Sequence, residues 1–451
     1  MASFFQIISG SITAPKGFRA GGIFCDIKRL GTGKGSEKGQ KRDLALIVSD
    51  APATVAGMFT TNQVCAAPVK VCAERVRGGV AQSIVANSGN ANACTGAKGL
   101  ADARAMAAMT ARELGLREKD VLVGSTGRIG VLMPMANVQR GIQAAAQLLS
   151  STPEHAAQAA EAIMTSDTKR KEIAVEFELG GKTARLGGIC KGAGMIQPGM
   201  SATGARPAAG LHATMLCFLT TDAAIEKRAL QAALEQAVAN SFNRITVDGD
   251  MSTNDAVLVL ANGLAGNKPL TLPSPRVLAD GHQGRGDFAV FQAALNHVTL
   301  ELAKMIARDG EGVSRLVTLR LSGAKSPADA DAALRAVANS ALVKTSWCGG
   351  DPNWGRILCA LGYSPASVVE SKVDVGYALP GSKKVLYALK QGRPTKVSFK
   401  SLCKIAAQKE FDLHIHLHLG RAGAVLYASD LTEAYVDFNK GNVGDPASMG
   451  G

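Results

Sequence analysis

Residues 172–223 read EIAVEFELGGKTARLGGICKGAGMIQPGMSATGARPAAGLHATMLCFLTTDA, and the fold class turns on them. In the first part, Ile173, Val175, Phe177 and Leu179 recur at every second position, Gly180-Gly181 interrupts, and a second strand runs to Ile189. Alternation of that kind around a Gly-Gly pair predicts a β-hairpin. It leads directly into KGAGMIQPGM (191–200). In the last part, ATMLCFLTTDA (213–223), Thr214 opens an apolar strand, Met215 to Leu219.

Upstream, Leu44–Val48, Ser83–Ala86 and Val121–Val123 are short apolar stretches. Each runs into a turn-like sequence: SDAPAT, NSGNANACTG and GSTGRIG respectively. They read as buried strands delivering loops to a site. Residues 101–115, ADARAMAAMTARELG, carry an Ala, Met and Leu face and stop at a Gly, which predicts a helix. Two longer helices are expected, one from about Asp222 to Ser241. In the other, Phe288, Phe291, Leu295, Val298, Leu302 and Met305 recur at spacings of three and four before ARDGEG. Gly- and Pro-rich stretches at 201–210 and 268–287 read as surface loops. Strands and helices alternate without a linker-like stretch, so the expected architecture is an α/β body with layered sheets covered by helices.

The chain has 451 residues with 50 Lys and Arg against 37 Asp and Glu, a formal charge of +13. With 46% hydrophobic residues and 50 Gly, it has the apolar content of a packed globular protein crossed by many tight turns, and disorder is excluded. Nine scattered Cys without a CxxC pair argue against both a disulfide framework and a thiolate zinc site. The N-terminal stretch MASFFQIISGSITAPK has no positive charge before its apolar residues, unlike a signal peptide. No run reaches the ~18 apolar residues of a membrane helix. The expectation is a cytoplasmic protein that uses neither metal nor membrane. Basic residues concentrate at 16–42 and 383–409 without interleaved aromatics, a pattern of solvated surface rather than of nucleic-acid binding.

Three features imitate sites. GTGKGS (31–36) has the wrong spacing for a phosphate-binding loop and no strand before it, so it reads as a flexible basic loop. His414, His416 and His418 share one face of a late strand, read as solvated rather than metal-binding. Cys217 and Cys359 lie inside apolar strings and read as core.

One stretch carries chemistry of its own. Were the bond between Ala213 and Thr214 cut, Thr214 would hold both a hydroxyl nucleophile and a free α-amine. An α-amine of pKa about 7.7–8.0 serves as a base at neutral pH. Threonine activated by its own amine is a recognised nucleophile, whereas a peptide nitrogen is not basic. Taken alone, Thr214 is equally a β-branched residue opening a strand.

Its surroundings decide the matter. TAPKGFRAGGI (13–23), DLALIVSDAPATVAGMFTTN (43–62), VANSGNANACTG (85–96), STGRIG (125–130), AIMTSDT (162–168), KGAGMI and ATMLCFLTTDA all resemble the ornithine acetyltransferase family. So do NSFNRITVDGDMSTND (240–255), RDGEG (308–312), DPNWGRILCALGYS (351–364) and DLTEAYVDFN (430–439). These are the glutamate N-acetyltransferases of arginine biosynthesis, and the resemblance spans nearly the whole chain. It implies self-cleavage at Ala213-Thr214, giving an α chain of residues 1–213 and a β chain of residues 214–451. It implies Thr214 as nucleophile, Thr126 and Gly127 as the oxyanion pair, and Thr165, Lys191, Thr214, Glu311 and Asn439 as substrate contacts. The fold implied is the layered α/β fold shared with DmpA, its two fragments interlocking and assembling as an α2β2 heterotetramer. The reaction implied is ping-pong transfer of acetyl from N-acetylornithine to glutamate without a cofactor. Acetyl-CoA is an additional donor in some members. A related amidase or aminopeptidase, giving the acyl group to water, is the alternative.

The sequence departs from the family in three places. Residues 201–212 intervene before Ala-Thr-Met, so Ala202-Thr203 sits at the family's usual distance from Lys191. Thr214 is preferred because MLCFLTTDA continues a strand and GARPAAG does not. Gly444 replaces a terminal Ser or Thr contact, for which Ser448 is a poor substitute. Arg128 follows the oxyanion pair in place of an aliphatic residue.

Overall fold

Gly180 and Gly181 both take positive φ, 57° and 75°, the geometry a two-residue hairpin turn requires. The strands they join are β6 (Lys171–Leu179) and β7 (Lys182–Lys191), paired from Lys171↔Cys190 to Leu179↔Lys182. The computed structural model describes residues 4–28, 41–204, 215–272 and 286–440.

The hairpin belongs to the larger of two sheets. In chain order its other strands are β1 (Gln6–Ile8), β2 (Phe18–Ile23), β3 (Leu44–Thr60), β4 (Val80–Asn90), β5 (Val121–Arg128), β8 (Met200–Ser201), β9 (Leu216–Thr221) and β11 (Ala256–Ala261). Their spatial order is β1-β6-β7-β9-β11-β3-β4-β5, with β2 and β8 also paired to β3. The sequence LCFLTT of β9 is buried at every position because β9 is central. Leu216 and Phe218 enter the core on one face, Cys217 and Leu219 on the other. The first face is covered by helices Ala67–Val76, Gly96–Leu114, Met135–Gln147 and Pro153–Ala162. The second is covered by Lys227–Ala239 and Asp287–Arg308, the latter through Phe291, Leu295, Val298 and Leu302, all fully buried. Truncating any one of these to Ala costs roughly 2–5 kcal/mol.

The smaller sheet has the order β10-β17-β12-β16-β13-β14-β15, where β10 is Ile245–Thr246, β12 Leu316–Ala324, β13 Asp374–Ala378, β14 Leu386–Lys390, β15 Arg393–Pro394, β16 Glu410–His416 and β17 Ala422–Ser429. One face packs on helices Pro327–Asn339, Ala341–Cys348, Trp354–Gly362 and Phe399–Ala406. Along β16, Phe411, Leu413 and Ile415 point into that core, while His414 and His416 share the opposite face as expected but are half-buried rather than solvated. His416 Nδ1 lies 2.7 Å from Ser322 Oγ, and His418, just past the strand, places Nε2 2.9 Å from Asp374 Oδ2.

Layered sheets covered by helices are thus the observed architecture, and several local expectations are corrected. SDAPAT is no turn: β3 runs straight through it as one 17-residue strand, with a register shift between Val48 and Ala53 absorbing the irregularity. Helix Lys227–Ala239 starts five residues later than expected, because Asp222 is spent capping backbone: its carboxylate accepts from Lys16 N and Arg185 N. Cys217 is buried as expected, but Cys359 is exposed on the outer face of helix Trp354–Gly362. The GTGKGS loop and most of the two Gly- and Pro-rich stretches lie outside the described residues.

Candidate functional site

Lys191 is the last residue of β7 and pairs with Leu216 at the start of β9. The neighbouring strand β11 starts at the same level, Ala256 opposite Leu216, and β3 ends there, Phe59 opposite Ala256. The sites expected from sequence gather at this end of the large sheet. Ala213 and Thr214 themselves lie outside the described residues, as do Gly444 and Ser448. Met215, the residue after Thr214, is fully buried at the site, and its N–H donates to Asp255 Oδ1.

Lys191 Nζ crosses to β5 and donates to Thr126 Oγ1 at 3.2 Å, so the expected carboxylate-binding cation and the expected oxyanion residue touch. Both side chains are buried. Thr126-Gly127 is held by a buried polar network that explains the run of Asn in NSGNAN. Ser125 Oγ donates to Asn87 Oδ1, Asn87 Nδ2 to Asn90 O, and Asn90 Nδ2 to Val131 O. From β11's leading loop, Asn254 Nδ2 donates to Ser125 O and Ala91 O. Gly127 has φ 129°, and a Cβ there would sit 2.4 Å from the Gly89 carbonyl carbon, so only Gly brings this backbone against its neighbour. Donors fixed in this way need no reorganisation when charge develops on a bound carbonyl oxygen.

Glu311 follows helix Asp287–Arg308, and its N–H donates to Ala193 O at 2.9 Å, tying its turn to the KGAG segment. Asn439, at the end of helix Glu433–Asn439, donates Nδ2 to Glu311 Oε2 at 2.9 Å. These two expected substrate contacts are therefore one unit. Gly312, with φ 67°, lets the Glu311 turn approach the backbone of Ala434 and Tyr435.

Thr165 joins the group through a residue the sequence analysis named only inside a motif. Asp167 accepts from Thr165 N at 3.0 Å and from Gly192 N at 2.8 Å, and also from Lys171 Nζ at 2.6 Å. Lys171 Nζ donates in turn to Asp309 Oδ2 at 2.6 Å. A cavity of about 490 Å3 opens beside Thr165, lined by Lys28, Lys41, Lys169 and Arg170 as well as Glu161 and Glu172. Arg128 lies at the end of β5, half-buried.

Electrostatics follow from burial. Burial pulls the Lys191 ammonium below the ordinary lysine range, opposed by Asp167, Glu311 and Asp255 and reinforced by Lys171. Burial alone would raise Asp167, but Lys171, Lys191 and the Gly192 N–H outweigh it and bring it down to about 2. Asp255 goes the other way: burial holds its carboxyl well above the carboxylate range, and its second oxygen, Oδ2, has no hydrogen-bond partner among the described residues. Asp248 is also raised by burial. It accepts from Met195 N and Ile196 N and from the Tyr435 hydroxyl, fixing Met195 at φ 57° and bracing the KGAGM loop against the C-terminal helix. Asp167, Asp248 and Asp255 were legible only as members of TSDT, VDGD and STND.

The site thus joins a buried cation to a rigid hydroxyl and backbone pair. It also joins a carboxylate to an amide. All of these lie beside the strand that begins after Thr214. That donor set suits an acyl group attached to a molecule carrying its own carboxylate and amine.

Comparison with known proteins gives the same direction. Residues 24–441 match the ArgJ family. The "Arginine biosynthesis bifunctional protein ArgJ" of Symbiobacterium thermophilum is 45% identical over 432 residues, 96% of this chain and 98% of its own. The "Glutamate N-acetyltransferase" of Methanocaldococcus jannaschii is 42% identical over 439 residues, covering 96% of this chain and 98% of its own. Among solved structures, ornithine acetyltransferase complexed with ornithine from Mycobacterium tuberculosis is 34% identical with a TM-score of 0.39, over 44% of this chain and 100% of that one.

Proposed function

The chain belongs to the ArgJ family, and from that membership we propose that it moves the acetyl group of N2-acetylornithine to L-glutamate in arginine biosynthesis. It is an acyltransferase of the glutamate N-acetyltransferase type. The observation that carries the residue assignment is the 3.2 Å contact between Lys191 and Thr126 at the strand end next to Met215. It supports a site in which one cation and one oxyanion pair face the same acyl group.

In the proposed reaction the precursor first cuts itself between Ala213 and Thr214, one water adding its hydroxyl to the Ala213 carbonyl carbon and its hydrogen to the Thr214 nitrogen, leaving fragments 1–213 and 214–451. The freed α-amine of Thr214 accepts the proton of its own hydroxyl, and Oγ attacks the acetyl carbonyl carbon. The Thr126 and Gly127 donors stabilise the alkoxide. The C–N bond then breaks, the proton passes to the leaving amine, ornithine departs, and the acetyl group remains as an ester on Thr214. The amine of glutamate attacks that ester, and its displaced proton returns Thr214 to its starting state. Lys191 binds the substrate α-carboxylate, Glu311 with Asn439 meets its amino group, and Thr165 borders the entrance. The transfer balances without a cofactor, and acetyl-CoA enters as a second acetyl donor at the first half-reaction. No helix among the described residues is long and apolar enough to cross a membrane. The proposal includes a cytoplasmic α2β2 assembly.

The test is N-acetylornithine consumption with and without glutamate, repeated with acetyl-CoA as donor. Glutamate-dependent release of ornithine supports transfer. Equal release without glutamate would establish the amidase reading instead. Size-exclusion chromatography with light scattering checks the assembly.

A further inference from the structure

Three polypeptide segments that are remote in sequence meet at one buried ionic triad, Asp167–Lys171–Asp309. Asp167 takes Thr165 N and Gly192 N. Asp309 takes Thr168 N at 3.0 Å and Lys169 N at 3.2 Å, and also the Thr168 hydroxyl. Lys171 joins the two carboxylates at 2.6 Å each, with its side chain 1% exposed and that of Asp167 0% exposed. Thr165 lies two residues before Asp167, Lys191 one residue before Gly192, and Glu311 two residues after Asp309. One salt-bridged unit therefore sets the relative positions of three candidate substrate contacts.

The triad also carries a charge. Two carboxylates and one ammonium sum to −1, and among the described residues Lys191 and Lys28 are cations that feel Asp167. Buried ion pairs rarely add stability over apolar packing of the same volume. A cluster placed where three ligand-bearing segments cross has a positional and electrostatic use instead. Among the described residues, the groups that act on Lys191 are Asp167 from the loop before β6, Lys171 on β6, Glu311 after the long helix, Asp255 before β11 and the Thr126 hydroxyl on β5. Of the acidic ones, Asp167 acts on Lys191 most strongly.

We infer that Asp167 is a positioning residue: with Lys171 and Asp309 it holds the Thr165 loop and the end of β7 in register and supplies the counter-charge that keeps Lys191 cationic for a substrate carboxylate. This rests on the assignment of Lys191 made above. Burial and Lys171 lower Lys191 and Asp167 raises it, so removing the Asp167 charge lets Lys191 lose its proton at lower pH.

The test compares the full chain with its Asp167→Asn, Asp309→Asn and Lys191→Met variants, following kcat and KM for N-acetylornithine from pH 6 to 10. Asp167→Asn should shift the basic limb of kcat/KM down by about one pH unit, a tenfold rise in KM above that limb, with kcat changed less than about threefold. Asp309→Asn makes the same change in triad charge, but Asp309 is not among the charges that act most strongly on Lys191, so it should give a smaller shift of the same sign. That keeps the test available if Asp167→Asn folds poorly. Lys191→Met should raise KM at every pH and abolish the limb. If Lys191→Met leaves KM unchanged, the underlying assignment fails. If it raises KM while both Asp variants lose kcat and thermal stability with the basic limb in place, the assignment stands and the counter-charge role is overturned.

Discussion

The space that a Cβ would occupy on Gly194 is already taken by the carboxylate of Glu311, whose Oε2 would lie 2.3 Å from it. The obstructing atoms are the end of a flexible side chain, and Gly194 does not need the left-handed region. Gly194→Ala should therefore fold, with stability changed by less than about 0.5 kcal/mol. Glu311 must swing away, which breaks its 2.9 Å bond from Asn439. The exposed Asn439 bond contributes little to the fold, but Glu311 displaced from its position also loses its hydrogen bond to the substrate's amino group, worth about 1.5–3 kcal/mol, so KM for N-acetylornithine should rise at least tenfold, as in Glu311→Gln. Steady-state kinetics beside a thermal melt checks this, and an unchanged KM would detach Glu311 from substrate binding.

Gly127→Ala should behave differently. Its Cβ meets the Gly89 carbonyl carbon at 2.4 Å and the Asn90 nitrogen at 2.6 Å, both backbone, and its φ of 129° disfavours any side chain. Strain of about 1–3 kcal/mol adds to displacement of the oxyanion donors. A lower melting temperature and a fall in kcat of about 100-fold or more are expected together.

These two glycines also mark how far the sequence could be read. The hairpin was legible because alternation and Gly180-Gly181 are both local. The helix Asp287–Arg308 was legible because its apolar spacing from Phe288 to Met305 continues over about five turns. SDAPAT was misread because the pairing of β3 with β2, β4 and β11 overrides a turn-like composition, and no local signal encodes those partners. Cys359 was misread because an apolar string looks alike on a strand and on a helix, and only the helix puts the Cys on the outer face. Among the site residues, Thr126, Gly127, Thr165, Lys191, Glu311 and Asn439 were reached through motif resemblance. The residues that position Thr165, Lys191 and Glu311, namely Asp167, Lys171 and Asp309, are 138 or more positions apart across the last link, a distance no motif spans.

Acid should act on Asp167 in a definite window. Its folded pKa, about 2, lies below the unfolded value near 3.9, so the group stabilises the fold above the unfolded value. That contribution is lost as pH falls through about 2 and amounts to about 2 kcal/mol. The wild-type melting temperature should drop across pH 5 to 2 more steeply than that of Asp167→Asn. Parallel curves would show that the carboxylate is not held by Lys171 and the Gly192 N–H in solution.

The proposed cut before Thr214 rather than Thr203 rests on which threonine precedes a central strand. Ser201 pairs with Phe59 in the short β8, and the Gly204 N–H returns to Ser201 O, so Thr203 sits inside a turn. Leu216–Thr221, by contrast, forms a central strand paired along its length with both β7 and β11, beginning beside Lys191 and Asp255. We infer that the nucleophile is the threonine directly before that central strand, whose first residues lie beside Lys191 and Asp255, rather than the one inside the 201–204 turn. Intact-mass measurement of the wild type should find fragments ending at Ala213 and starting at Thr214. Thr214→Ala should leave one uncut chain, with activity reduced at least 1,000-fold. Thr203→Ala should cut and turn over as the wild type does. A fragment starting at Thr203, or an uncut and fully active wild type, would overturn the assignment of Thr214 as nucleophile.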